Sequence, residues 1–112
     1  MKTSFLFTSL IAFIVSVSSA FADMSCSSLI VTNNVDGNEC ASMMIPSHSS
    51  ITTSHNCNGY QITINCDLSN HTVIIDLSAT KADGQVKSTH QNNDLYWTDE
   101  SGNGVHVNCS II

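Results

Sequence analysis

The sequence contains no arginine, one proline and only three lysines against nine carboxylates. Each scarcity excludes something. Phosphate backbones and anionic lipid surfaces are bound by clustered Lys and Arg that release counterions, so a chain this poor in cations is not built for nucleic acid or for a membrane surface. Neither a Cys-x-x-Cys pair nor a His-x-x-x-His spacing occurs, so no metal and no cofactor are expected. A Gly-x-Ser-x-Gly nucleophile elbow is missing too. No stretch of a dozen residues repeats its apolar positions with a helical period, which leaves β-structure.

The one long apolar run is at the N-terminus. Lys2 precedes Phe5 to Val17, a stretch broken only by Thr8, Ser9 and Ser16, and small residues follow with the spacing Ala20-x-Ala22. This is the pattern of a cleavable secretion signal over residues 1–22, too short to span roughly 30 Å of hydrocarbon comfortably. Cys26 lies beyond the expected cleavage point, so a lipid anchor is not expected. Residues 23–112 then form one small β domain of 90 residues, secreted to the cell exterior or, in a bacterium, to the periplasm. Lys81 and Lys87 are its only cations, for a net charge of −7, which serves solubility.

All five cysteines, Cys26, Cys40, Cys57, Cys66 and Cys109, fall in this part. An exported small domain oxidises such residues into bridges, which predicts a disulfide-stabilised fold with one thiol left over. Connectivity is not readable from spacing. The odd thiol is either buried or available to another chain, in which case a disulfide-linked homodimer results.

Tyr60 to Asp67 alternates apolar and polar side chains, the period of a strand with one buried face. Thr72 to Ala79 is a second strand; with Leu68 to His71 as a four-residue loop, Ile62 faces Leu77 and Ile64 faces Ile75. Asp83-Gly84 predicts a turn with positive φ at both central residues, followed by a polar arm, Val86 to Asn92, suited to an exposed edge. Gly102-Asn103-Gly104 predicts a hairpin that sets Leu95 opposite Ile111 and Trp97 opposite Cys109, beside a disulfide. Upstream, Ser28 to Thr32 reads as a strand, Asn33 to Asn38 as a turn centred on Asp36-Gly37, and Ala41 to Ile45 as a short strand or helical turn. Ile51 to Thr53 is a weaker strand signal. Short strands between turn signals predict an all-β antiparallel sandwich or barrel.

Five histidines, His48, His55, His71, His90 and His106, are read as ordinary surface residues; His106 is expected on the solvent face opposite Glu100. Asn34 to Glu39 offers oxygens around a glycine but fails calcium-loop spacing, and reads as a turn. Asn70-His71-Thr72 and Asn108-Cys109-Ser110 match the glycosylation pattern. The best binding signal is Asn92, Asn93, Asp94, Tyr96 and Asp99, where aromatic rings are bracketed by amides and carboxylates, a mixture suited to an extracellular protein or a carbohydrate. Tyr96 is expected outward and Trp97 inward. The expected function is a non-enzymatic binding module, such as an effector, inhibitor or adhesin-like domain, using exposed loops and an edge strand. The alternatives are a small secreted hydrolase and a structural component assembling by intermolecular disulfide or strand addition.

Overall fold

A computed structural model describes residues 22–69 and 72–112. The expected secretion signal, apart from Ala22, lies outside them, as do Asn70 and His71. The described chain is eight antiparallel strands and no helix: β1 (Met24–Thr32), β2 (Val35–Ile45), β3 (Ser50–Cys57), β4 (Tyr60–Asp67), β5 (Ile74–Thr80), β6 (Val86–His90), β7 (Asp94–Thr98) and β8 (Gly104–Ile111). Sheet A has the order β2-β1-β8-β7 and sheet B the order β3-β4-β5-β6. A hairpin, a four-strand meander and a second hairpin thus follow one another along the chain, with β1 joining β8 at the centre of sheet A. The outcome is the expected antiparallel β-sandwich.

The alternation read from the sequence sets which side chains face the core. Ile62, Ile64 and Cys66 of β4, Ile75, Leu77 and Ala79 of β5, and Val105, Val107 and Cys109 of β8 are buried in one cluster between the sheets, with Met24, Cys26, Ile45 and Leu95. Two disulfides reinforce it. Cys26–Cys109 links the directly opposed positions of β1 and β8, and Cys40–Cys57 ties β2 of sheet A to β3 of sheet B. Cys66 is the free cysteine, fully buried.

Several turns depart from expectation, each for a local reason. The first hairpin turns at Asn33-Asn34, both in the left-handed region at φ 52° and 63°, rather than at Asp36-Gly37. Asn tolerates that conformation, so the pair makes the two-residue turn matching strand twist. Asp36 and Gly37 therefore lie within β2, and Ala41 to Ile45 belongs to the same strand rather than to a helical turn. Two irregularities of register, between Ser28 and Leu29 and between Leu29 and Val31, give β2 its extra residues; Cys40 occupies the first and turns toward β3. The segment 50–57 is a full strand, joined to β4 by Asn58-Gly59, whose dipeptide and positive φ values (54° and 84°) are a hairpin signal the sequence carried openly.

The β4–β5 register is displaced by two residues, pairing Ile62 with Ala79, Ile64 with Leu77 and Cys66 with Ile75. Leu68 causes it. Its side chain is fully buried and its N–H donates to the carbonyl of Ser49 at 2.8 Å, so the chain runs on before returning. At Asp83-Gly84 only Gly84 has positive φ, because the loop is the three-residue Ala82-Asp83-Gly84 closed by Lys81 and Gln85. The β7–β8 loop is likewise Glu100-Ser101-Gly102, since Asp99 Oδ1 accepts the amides of Ser101 and Asn103 at 2.8 and 3.1 Å. Leu95 then pairs with Val107, and Trp97 with Val105 rather than with Cys109. Parity survives every shift, so inward residues stay inward.

A candidate binding face on sheet A

With Val105, Val107 and Cys109 inward, His106 and Asn108 of β8 face out, and with Leu95 inward, so do Asp94 and Tyr96 of β7. These four meet. His106 lies opposite Tyr96, not opposite Glu100, with the two rings edge to face at 5.2 Å. Its Nε2 is 2.6 Å from Asp94 Oδ1, and its Nδ1 is 3.0 Å from Asp36 Oδ2 on β2. Asn108 Nδ2 donates to Asp94 Oδ1 at 2.9 Å. The bridge from Asp36 crosses β1 between Leu29, which pairs with His106, and Val31, which pairs with Asp36. One imidazole thereby connects β2, β8 and β7.

Burial alone would lower the pKa of His106, but the carboxylates of Asp94 and Asp36 on its two nitrogens outweigh that and hold it above the ordinary histidine value. Only the imidazolium can donate to both carboxylates at once.

Of the five residues singled out from the sequence, Asp94 and Tyr96 stand on this face. The other three are committed to the backbone. Asn92 Oδ1 accepts the N–H of Asp94 at 3.1 Å, Asn93 Nδ2 donates to the carbonyl of Cys109 at 2.8 Å, and Asp99 closes the β7–β8 loop. Asp36 and Asn108 were missed as site residues. Asp36 could have been found by placing the turn at Asn33-Asn34, which puts it on a strand; Asn108 is marked locally only by the glycosylation pattern, which does not point to this face.

Side chains bridge the seams between the sheets. Lys87 Nζ reaches from β6 to the carbonyl of Tyr96 on β7 at 3.0 Å, and Lys81 Nζ lies 5.2 Å from the centre of the Trp97 ring, which itself meets Tyr60 edge to face at 5.4 Å. Trp97 is thus half-buried beneath Lys81 rather than packed beside Cys26–Cys109. On the opposite seam stands Cys40–Cys57.

Nucleophile chemistry has one geometric candidate. Ser28 Oγ and His55 Nε2 share a hydrogen bond at 2.7 Å, reaching from β1 to β3. Ser28, however, has no exposed surface, so no substrate reaches its oxygen. Burial holds the pKa of His55 below the ordinary value. The Cys66 thiol is pushed up to about 11 by burial and by Asp67, which suppresses the thiolate that nucleophilic chemistry requires. Among the described residues no group of three or more His, Cys, Asp or Glu is placed to hold a metal ion. His90 pairs with Asp76 at 2.8 Å on sheet B, away from these sites. Comparison with protein-family models, with curated proteins and with solved structures yields no match to this chain.

Proposed function

We propose that the mature chain is a secreted, non-enzymatic binding module whose contact surface is the outer face of sheet A around Tyr96, and that its ligand is an extracellular protein presenting basic residues. The observation that carries this reading is the setting of Tyr96. It is 37% exposed, stands on the edge strand β7, and has Asp94 and Asp36 within the same cluster, both side chains more than 40% exposed. A tyrosine supplies contact area at low entropic cost, and flanking carboxylates select a cationic partner. Two intramolecular disulfides are consistent with an oxidising compartment outside the cytoplasm. The burial of Ser28 weighs against the hydrolase alternative, and the burial of Cys66 weighs against assembly through an intermolecular disulfide.

The test is to immobilise the mature chain and screen it against arrays of extracellular proteins and glycans. The expected ligand is a basic protein whose affinity falls about tenfold or more in Tyr96→Ala and Asp94→Asn, while Val86→Ser on β6 binds as the parent does. A glycan ligand indifferent to Tyr96→Ala, or hydrolytic turnover that disappears in His55→Gln, would overturn the reading.

A further inference from the structure

The segment 35–39 of β2 is exposed at every residue and lies between a tight turn and two irregularities of register. On one side is the Asn33-Asn34 turn, anchored by the Asn34 N–H on the carbonyl of Gly102 at 2.9 Å. On the other are the two register irregularities opposite Leu29. As the edge of sheet A, β2 has a partner on one flank only. Backbone pairing ties Val35, Asp36 and Glu39 to β1, and the contact of Asp36 with His106 adds a side-chain tie from this segment to β8.

We propose that His106 is a proton-operated clasp, holding residues 36–39 against sheet A when its ring carries two protons and releasing them when it carries one. The geometry makes release one-sided. A neutral imidazole has a single N–H and can donate to one carboxylate only, so the other faces a lone pair and is repelled. Asp94 has the shorter contact, 2.6 Å against 3.0 Å for Asp36, so the remaining proton stays at Nε2 and Asp36 loses its partner.

The groups around the ring support this assignment. From β2 come Asp36 and Glu39, from β7 Asp94 and Tyr96, and from β8 the non-ionising Asn108, while β1 contributes Leu29 and Val31, which do not titrate. Lys87 of β6 is turned to the carbonyl of Tyr96, and Lys81 lies over the ring of Trp97. Asp99 is held in its own loop, and Glu100 lies in that same loop beyond Thr98. No other cation meets the carboxylates of Asp36 and Asp94 among these groups, so the charge of His106 is what joins them. The carboxylates of Asp94 and Asp36 outweigh burial and hold the change above the ordinary histidine value. The clasp operates whether or not the face has a ligand.

Amide hydrogen exchange of residues 36–39, corrected for intrinsic base catalysis, tests it in the mature chain between pH 5.5 and pH 9. Protection in the parent is expected to fall about fivefold or more across the titration of His106, followed in parallel by its ring proton shifts. In Asp36→Asn, whose neutral amide makes no charge-dependent contact with the ring, protection of the segment is expected to be the same at both pH values, and His106→Gln should behave alike. His90→Gln, on sheet B, should respond as the parent does. Equal corrected protection at both pH values in the parent, or a pH response that persists in Asp36→Asn, would overturn the clasp.

Discussion

The 2.6 Å hydrogen bond from His106 Nε2 to Asp94 Oδ1 joins β8 to β7 on the outer face of sheet A. Because the folded pKa of His106 is raised, linkage makes its stabilisation complete below the ordinary value of 6.5 and removes it as pH rises through the folded value. The carboxylates are nearly half exposed, so screening keeps the effect small. Asp94→Asn is expected to destabilise by roughly 0.5–1 kcal/mol at pH 5.5 and by less at pH 9. Urea unfolding of parent and variant at the two pH values measures it; an equal loss at both would contradict the linkage.

His55 works in the opposite direction. Its folded pKa is lowered by burial, so its neutral form is the one the fold accepts. Stability is full above 6.5 and declines as pH falls from there through the lowered folded value. Thermal melts between pH 4.5 and 7 should show a shallower acid-side decline in His55→Gln than in the parent. Ser28→Ala, which strips the ring of its buried partner, should cost about 1–3 kcal/mol at pH 7.

Gly104 tolerates no side chain. A Cβ there would lie 1.9 Å from the carbonyl oxygen of Trp97, which is backbone and cannot move aside cheaply. Gly104→Ala is expected to cost about 3 kcal/mol or more. Gly84 has a positive φ, +91°, which Gly104 does not, but open space around it, so Gly84→Ala should cost only about 1 kcal/mol. Denaturant midpoints of the two variants decide the order; similar losses would mean that the contact at Gly104 relaxes.

Cys66 should be chemically silent in the folded chain. It has no exposed surface, and with its pKa at about 11 only about one thiol in a thousand ionises at pH 8. Titration with a thiol reagent should find no reactive thiol in the native protein and one after denaturation without reductant. A thiol that reacts fully within minutes under native conditions would show that β4 is open to solvent.

The strand content and the facing of core residues could be read from the sequence because alternation in β4, β5 and β8 is a local property that survives any shift of register by an even number. The registers themselves could not. They depend on Leu68 reaching the core, on Asp99 capturing two amides, and on Asn33-Asn34 outcompeting Asp36-Gly37 as the turn. The candidate face suffered from the same cause. Asp94 and Tyr96 share a short strand and were found together, whereas Asp36 is 70 residues from His106 and reaches it only across β1. Three of the residues that looked like binding groups are the ones best placed to satisfy their own backbone, a use that composition cannot distinguish from recognition.

Cys26 and Cys109 stand 83 residues apart in sequence, in the first and last strands of the fold, and beside them the N–H of Ile112 donates to the carbonyl of Asp23 at 3.0 Å. The fold is therefore covalently a ring. A single proteolytic cut in any loop between these cysteines leaves one connected molecule, its halves still held by the bridge and by the paired strands. Such a chain can be nicked by a protease without being dismantled, and the damage surfaces only when the bridge is reduced.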